Sequence, residues 1–175
     1  MRLAVIGDIH GNSAALRSVL ERAASEKADA LLITGDLVGY YFDPAGVIDL
    51  LEPWKRFAVR GNHEDMLAEA QRDPQRLAQI GSRYGSGVGA ALHALSPEQL
   101  EGLCALPHPL DLSLGGRRIL LCHGAPWDND CYVYPDADEA LLARCAVRGY
   151  DYVILGHTHY PMVRRANDAV IVNPG

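Results

Sequence analysis

Five short apolar runs in this chain each lead into a loop where glycine stands beside aspartate, asparagine or histidine. The first is Leu3-Ala4-Val5-Ile6, followed by Gly7-Asp8-Ile9-His10-Gly11-Asn12. The others open onto Gly35-Asp36, Gly61-Asn62-His63-Glu64, His123-Gly124 and Gly156-His157-Thr158-His159. A short apolar run bounded by glycine reads as a buried strand. Polar groups just past the ends of such strands face the crevice where open α/β sheets hold ligands. One Asp-x-His is a weak signal, because short motifs recur by chance; five such loops in series are far more constraining.

The segments between the loops fix the class of fold. Asn12 or Ser13 caps a helix whose inner face carries Leu16, Val19, Leu20 and Ala23. Ala30-Leu31-Leu32-Ile33 is the next strand, so strand, helix and strand form a right-handed parallel crossover. Pro44 opens a second helix with Val47, Ile48 and Leu51 inward, and Phe57-Ala58-Val59 is the third strand. Glu64 to Ile80 reads as a polar helix interrupted near Asp73-Pro74. Gly81, Gly85, Gly87 and Gly89 read as a flexible connection, since no strand precedes them to support a phosphate-cradling loop. Ser96-Pro97-Glu98-Gln99 starts a helix whose Leu100, Leu103 and Cys104 face inward.

The later pattern differs. Leu110, Leu112 and Leu114 alternate with polar residues, Gly115-Gly116 turns, and Arg118 to Cys122 returns as a hairpin. Asp136, Asp138 and Glu139 precede Leu141, Leu142 and Cys145, and Arg144 and Arg148 follow, an acid-to-base order that suits a helix dipole. Tyr152 to Leu155, Met162-Val163 and Val170 to Val172 supply the last strands. Parallel units followed by a hairpin predict an α/β fold of two facing sheets with helices outside, in one domain over residues 1–175.

Bulk properties exclude some functions. A formal net charge of −6 argues against a broad nucleic-acid surface, but not against a small phosphate ester. The four cysteines form no C-x-x-C pair and read as reduced thiols of a cytoplasmic protein. The N-terminus lacks the features of a signal peptide, and no apolar stretch approaches the roughly 20 residues that cross a bilayer. No membrane partner is expected.

Asp8, His10, Asp36, Asn62, His123, His157 and His159 together offer carboxylate, imidazole and amide donors. That mixture suits manganese, iron, nickel, cobalt or zinc, and the absence of cysteine donors argues against a structural zinc. Seven donors are too many for one ion but fit two divalent ions that share a bridging carboxylate. Two such ions, balanced by Asp8, Asp36 and a hydroxide, leave a centre of about +1, which attracts phosphate. The expected reaction is hydrolysis of a phosphate ester by metal-activated water. His93 and His108 stand outside the pattern and read as structural, and Cys122 reads as strand core rather than as a nucleophile.

In this order and spacing the five loops resemble the signature of the calcineurin-like metallophosphoesterases, and the likeness is to the small prokaryotic phosphodiesterases of that superfamily. Asn173-Pro174-Gly175 also resembles a family motif near the last strands. The resemblance implies a sandwich of two mixed sheets flanked by helices and two divalent ions, manganese foremost. One ion would take Asp8, His10, Asp36 and His159, the other Asp36, Asn62, His123 and His157, with Asp36 bridging. His63 would be the non-ligand general acid, binding substrate together with Asn62 and Tyr40. The implied activity is diester hydrolysis. The alternatives are a phosphomonoesterase of the Ser/Thr phosphatase kind, a dinucleoside polyphosphate hydrolase, or an inactive scaffold. A scaffold would have lost donors that this chain keeps.

Two departures stand out. The Ser/Thr phosphatase branch carries Asp-Arg-Gly three residues after its bridging aspartate, where this chain has Gly39-Tyr40-Tyr41. The chain also stops at Gly175, where small family members continue with further strands, so the sequence suits either a truncated or a short member.

Overall fold

The computed structural model describes all of residues 1–175. Two sheets face each other. The first holds β1 (Leu3–Ile6), β2 (Ala30–Ile33) and β3 (Arg56–Ala58), all parallel, in the order β1-β2-β3. Between them run α1 (Ser13–Ser25) and α2 (Pro44–Leu51). Then come α3 (Asn62–Arg72), α4 (Pro74–Tyr84), α5 (Gly87–Ala94) and α6 (Pro97–Cys104). The second sheet is mixed. It contains β4 (Leu110–Leu114), β5 (Arg117–Leu121), β6 (Tyr152–Ile154), β7 (Met162–Ala166) and β8 (Ala169–Asn173), with α7 (Glu139–Cys145) between β5 and β6. Its order is β4-β5-β6-β8-β7, with parallel pairing from β5 through β6 to β8 and an antiparallel hairpin at each edge.

Side-chain alternation builds three apolar layers from this arrangement. Leu32 of β2 meets Ile119, Leu121 and Ile154 between the sheets, while Leu31 and Ile33 turn outward beneath α1 to α6. On β5 the pattern repeats, with Leu120 outward against Leu142 and Cys145 of α7. β2 is therefore buried on both faces, which explains its unbroken Ala-Leu-Leu-Ile.

The helix ends follow local chemistry. The Asn12 side chain accepts from the Ala15 N–H, and Asp73 both ends α3 and caps α4. Ser96 and Gln99 close a reciprocal capping box. Two expectations need correction, at Val19 and at the glycine-rich stretch. Val19 is 44% exposed, because it faces a surface cavity rather than the sheet. Cys104 faces inward as expected, packed against the core at the end of α6, but it is only half-buried there. The Gly81-to-Gly89 stretch is helical rather than a flexible connection: Gly81 lies in α4, Gly85 ends it at φ +83°, and Gly87 opens α5. Gly87 approaches the Gly39 carbonyl so closely that a Cβ there would overlap it, and this tertiary contact favours glycine despite its poor helix propensity.

All five signature loops leave the same end of the two sheets. In register, Ile6 stands beside Ile33 and Ile33 beside Ala58, while Leu121 stands beside Ile154. The loops that follow these strands therefore meet, and the His157 N–H donates to both Asp8 carboxylate oxygens at 3.1 Å, tying the sheets together.

Candidate metal centre

The backbone of these loops is unusual. Asp8, His10, Asp36, His157 and His159 all have φ between 51° and 67°, five of the seven non-glycine residues with positive φ. Such conformations are uncommon for side-chain-bearing residues and cluster where the surroundings enforce them. Here the enforcement is visible. His10 N–H donates to the Asp36 carbonyl at 2.8 Å, Asp8 N–H to Gly35 at 3.2 Å, and Tyr41 N–H to His10 at 2.8 Å. Asn173, buried, donates to the Gly156 carbonyl at 2.7 Å and to Thr158 Oγ1 at 3.1 Å, which fastens the His157 loop. Gly39 matters for a different reason: a Cβ there would lie 2.5 Å from Nδ1 of both His10 and His63.

The seven donors expected from the sequence are gathered around Asp36. Its Oδ2 lies 3.4 Å from His123 Nε2 and 3.7 Å from His10 Nε2. His10 Nε2 is 3.1 Å from His159 Nε2, which is 3.4 Å from Asp8 Oδ1. His123 Nε2 is 3.0 Å from Asn62 Oδ1. Asp8, His10 and His159 form one group with donor atoms within 4.8 Å of one another; Asp36, His123 and His157 form a second. A third group joins His10 and Asp36 to His63, so distance alone does not separate His63 from the expected ligands.

The imidazoles are oriented as ligands need to be. His123 Nδ1 lies 2.7 Å from the Thr34 carbonyl, and His10 Nδ1 lies 3.2 Å from the Val38 carbonyl. An Nδ1–H donated to each carbonyl directs Nε2 toward Asp36, and the neutral ring then offers its Nε2 lone pair there. His157 Nε2 is buried without a hydrogen-bond partner. The two directed Nε2 atoms and the orphaned nitrogen fit divalent cations.

Protonation follows the same geometry. Burial pulls His10 down to about 4, and it also lowers His63 and His157, leaving them neutral near pH 7. Burial opposes charge on His123 too, but the Asp36 carboxylate outweighs it and holds His123 at about 9. Burial would raise Asp36, yet the surrounding imidazoles, His123 first, keep its carboxyl well below the usual range. The hydrogen bond to Asp8 raises His159. In the metal-free protein His123 thus carries a proton beside the ionised Asp36, and a cation bound there would displace it.

Glu64 has a role that the sequence reading did not assign. Fully buried, it accepts the N–H groups of Asp36 at 2.9 Å, Leu37 at 2.8 Å, Val38 at 3.3 Å and Gly61 at 2.8 Å. Burial pushes its carboxyl up to about 7, against the pull of these donors. Its signal was its place as the third residue of a helix that begins at a signature loop. Asp130 also went unassigned; its Oδ1 is 3.4 Å from His157 Nε2.

Tyr40 is exposed at the mouth, its ring 4.6 Å from His10 and 4.9 Å from His63. It borders a cavity of ≈ 730 Å³ that also touches Asp8, His10 and His159. On the other side Asn62, Arg83, Tyr84 and Asp130 border a polar cleft of ≈ 500 Å³. His93 is an exposed residue whose Nδ1 meets the Gly89 carbonyl at 2.6 Å, outside the centre. His108 is half-buried and belongs to none of the three donor groups. Cys122 is fully buried in the outer core of the second sheet, where burial pushes its thiol up.

The sequence model of the calcineurin-like phosphoesterases matches residues 1–161, and the chain belongs to that family. It is 30% identical over 179 residues to serine/threonine-protein phosphatase 1 of Salmonella typhimurium, covering 94% of this chain and 81% of that protein. A hypothetical protein of Pyrococcus horikoshii OT3 has the same fold, with a TM-score of 0.88 at 23% identity, over 99% of this chain and 75% of that one. A metallophosphoesterase of Sphaerobacter thermophilus superposes with a TM-score of 0.77 at 24% identity, over 100% and 76%. The family uses divalent metals. No helix is long and apolar enough to cross a membrane.

Proposed function

We propose that this protein is a dinuclear metal-dependent phosphodiesterase acting on a small phosphate ester in the cytoplasm, with manganese as its working metal. The observation that carries the reading is the convergence of Asp8, His10, Asn62, His123, His157 and His159 around the single carboxylate of Asp36. Asp8, His10, Asp36 and His159 would hold one ion and Asp36, Asn62, His123 and His157 the other. Bound there, two divalent ions supply a water nucleophile active at neutral pH and neutralise charge on the phosphoryl oxygens.

The chain's own groups do the rest. Asp36 Oδ1 accepts the His63 N–H at 2.9 Å, which fixes the start of α3 and with it the His63 ring. His63 stands between Tyr40 and Tyr84 with its Nδ1 buried and free of partners. An anionic phosphoryl group beside that ring favours its protonated form, from which the proton passes to the leaving oxygen. Arg60, Arg117 and Arg164 are engaged with carboxylates: Arg60 with Asp65 at 2.6 Å, Arg117 with Asp151 and Arg164 with Glu139, both at 2.8 Å.

The second reading is a phosphomonoesterase, favoured by the name of the 30%-identical Salmonella relative. The experiment is elemental analysis of the purified protein with turnover of bis-p-nitrophenyl phosphate before and after chelation. About two ions per chain are expected, with activity lost on chelation and restored best by Mn²⁺. Turnover that persists in fully stripped protein would sink the proposal.

A further inference from the structure

Tyr132, Tyr134 and Tyr160 form an aromatic ladder that begins at the centre and runs outward. The Tyr132 ring lies 4.0 Å from the His157 ring. Tyr134 stacks beside Tyr132, 5.7 Å between centroids and 15° between planes, and Tyr160 meets Tyr134 edge-on at 5.8 Å. The three rings are 51%, 42% and 57% exposed. Isolated exposed apolar residues are ordinary, but a contiguous aromatic patch against a reactive centre marks a binding surface.

The start of the ladder is held by its loop. Ala125 and Asp128 exchange backbone hydrogen bonds at 2.8 and 3.1 Å, Asp130 N–H donates to Asp128 Oδ1 at 2.9 Å, and Asn129 reaches Asp65 at 2.6 Å. A stacking platform fixed before binding loses little entropy when a planar group lands on it. The charges next to it limit what that group belongs to. Asp130, exposed beside His157, opposes a second phosphate, and the net charge of −6 opposes a polynucleotide strand.

We propose that the Tyr132–Tyr134 face is a nucleobase subsite, and that the substrate is a phosphodiester whose retained group is a single nucleoside. This rests on the phosphodiesterase reading of the centre. Water's oxygen bonds to phosphorus as the bond to the leaving oxygen breaks. The leaving group departs as an alcohol with a proton, and a nucleoside monophosphate remains, its base stacked on the tyrosines.

Two esters with the same leaving group test this: the p-nitrophenyl ester of thymidine 5′-monophosphate and methyl p-nitrophenyl phosphate. Wild-type kcat/KM should favour the nucleoside ester by about tenfold, mostly through KM, as base stacking on an aromatic ring permits. The ratio should fall to near one in the Tyr132→Ala, Tyr134→Ala double variant and return with phenylalanine at both positions. A wild-type ratio near one, or a preference that survives the alanine pair, overturns the subsite. If neither ester is hydrolysed, the phosphodiesterase reading fails, and calorimetric titration with thymidine 5′-monophosphate against methyl phosphate judges the ladder alone. Tighter nucleotide binding that the alanine pair abolishes supports it, and equal binding in the wild type overturns it.

Discussion

Glu64 holds Asp36 by its backbone: the Glu64 carboxylate accepts the Asp36 N–H at 2.9 Å with the same oxygen that accepts from Gly61. One buried side chain therefore joins the loops after β2 and β3, which carry the central carboxylate and the Asn62-His63 pair. Glu64→Ala would leave four buried N–H groups to find other partners. Each costs about 1–3 kcal/mol if it fails, so a loss of roughly 3 kcal/mol or more is expected in urea denaturation of metal-free protein. Metal affinity should fall with it. A variant that unfolds at the wild-type midpoint would show that the clamp carries no such weight.

Asp36 faces both donor groups, whereas His10 belongs to the Asp8 side. Asp36→Asn should therefore lose more metal than His10→Ala, approaching removal of both ions rather than one. Elemental analysis of the two variants, dialysed side by side, decides this. Equal content near two ions per chain would rule out a shared carboxylate.

His63 lies within ligand distance of Asp36 and His10, so its role as an acid must be separated from that of a ligand. His63→Ala is expected to keep its metal and to lose roughly 10²–10⁴ in turnover. The loss should shrink for esters with good leaving groups, which need no proton. Metal loss equal to that of a ligand variant would place His63 among the ligands instead.

The parts of this site that could be read from the sequence are those in which one strand dictates its own loop. Leu3 to Ile6 and Ala30 to Ile33 announce buried strands, and the glycine-flanked Asp8, Asp36 and His157 follow directly. Ser96-Pro97-Glu98-Gln99 and the Gly115-Gly116 hairpin are equally local and equally legible. What escaped depends on distant partners. Glu64 matters because four N–H groups from two loops converge on it. The helical position 87 is glycine, against helix propensity, because the Gly39 carbonyl leaves no room for a larger residue. Tyr132 joins the centre only once the loop after β5 is folded against His157.

His108 offers a pH signature away from the donor groups. Burial, then the nearby His123 and Arg60 charges, lowers it to about 4 from the ordinary 6.5. The unfolded chain therefore binds a proton there between those values while the native chain does not. That stabilisation is complete above pH 6.5 and is lost as the pH falls toward 4. Discounted for the partial exposure of the ring, it amounts to roughly 1–2 kcal/mol. In metal-free protein, His108→Leu should lose that much less stability than wild type between pH 7 and pH 4.5. Parallel stability curves for the two proteins would refute it.

The proposed preference for diesters rests on Tyr40. Near neutral pH a phosphomonoester is largely a dianion, and a guanidinium fork grips two of its oxygens. Tyr40 occupies the position where the Ser/Thr phosphatases carry that arginine, and its phenol offers one neutral donor. Arg60, Arg117 and Arg164 are committed to Asp65, Asp151 and Glu139. Arg83 borders the polar cleft, with its guanidinium 5.0 Å from the Tyr84 ring. The proposed two-ion centre, with a charge of about +1, would then face the substrate with little help, which suits a monoanion better than a dianion. Bis-p-nitrophenyl phosphate should exceed p-nitrophenyl phosphate in kcat/KM by about tenfold, the factor that one missing charge-assisted hydrogen bond implies. Tyr40→Arg should narrow or reverse that ratio, and Arg83→Ala should leave it unchanged. Preference for the monoester in the wild type would move the protein toward the phosphatase reading. If Arg83→Ala then removed that preference, Arg83 would be the fork that Tyr40 cannot supply.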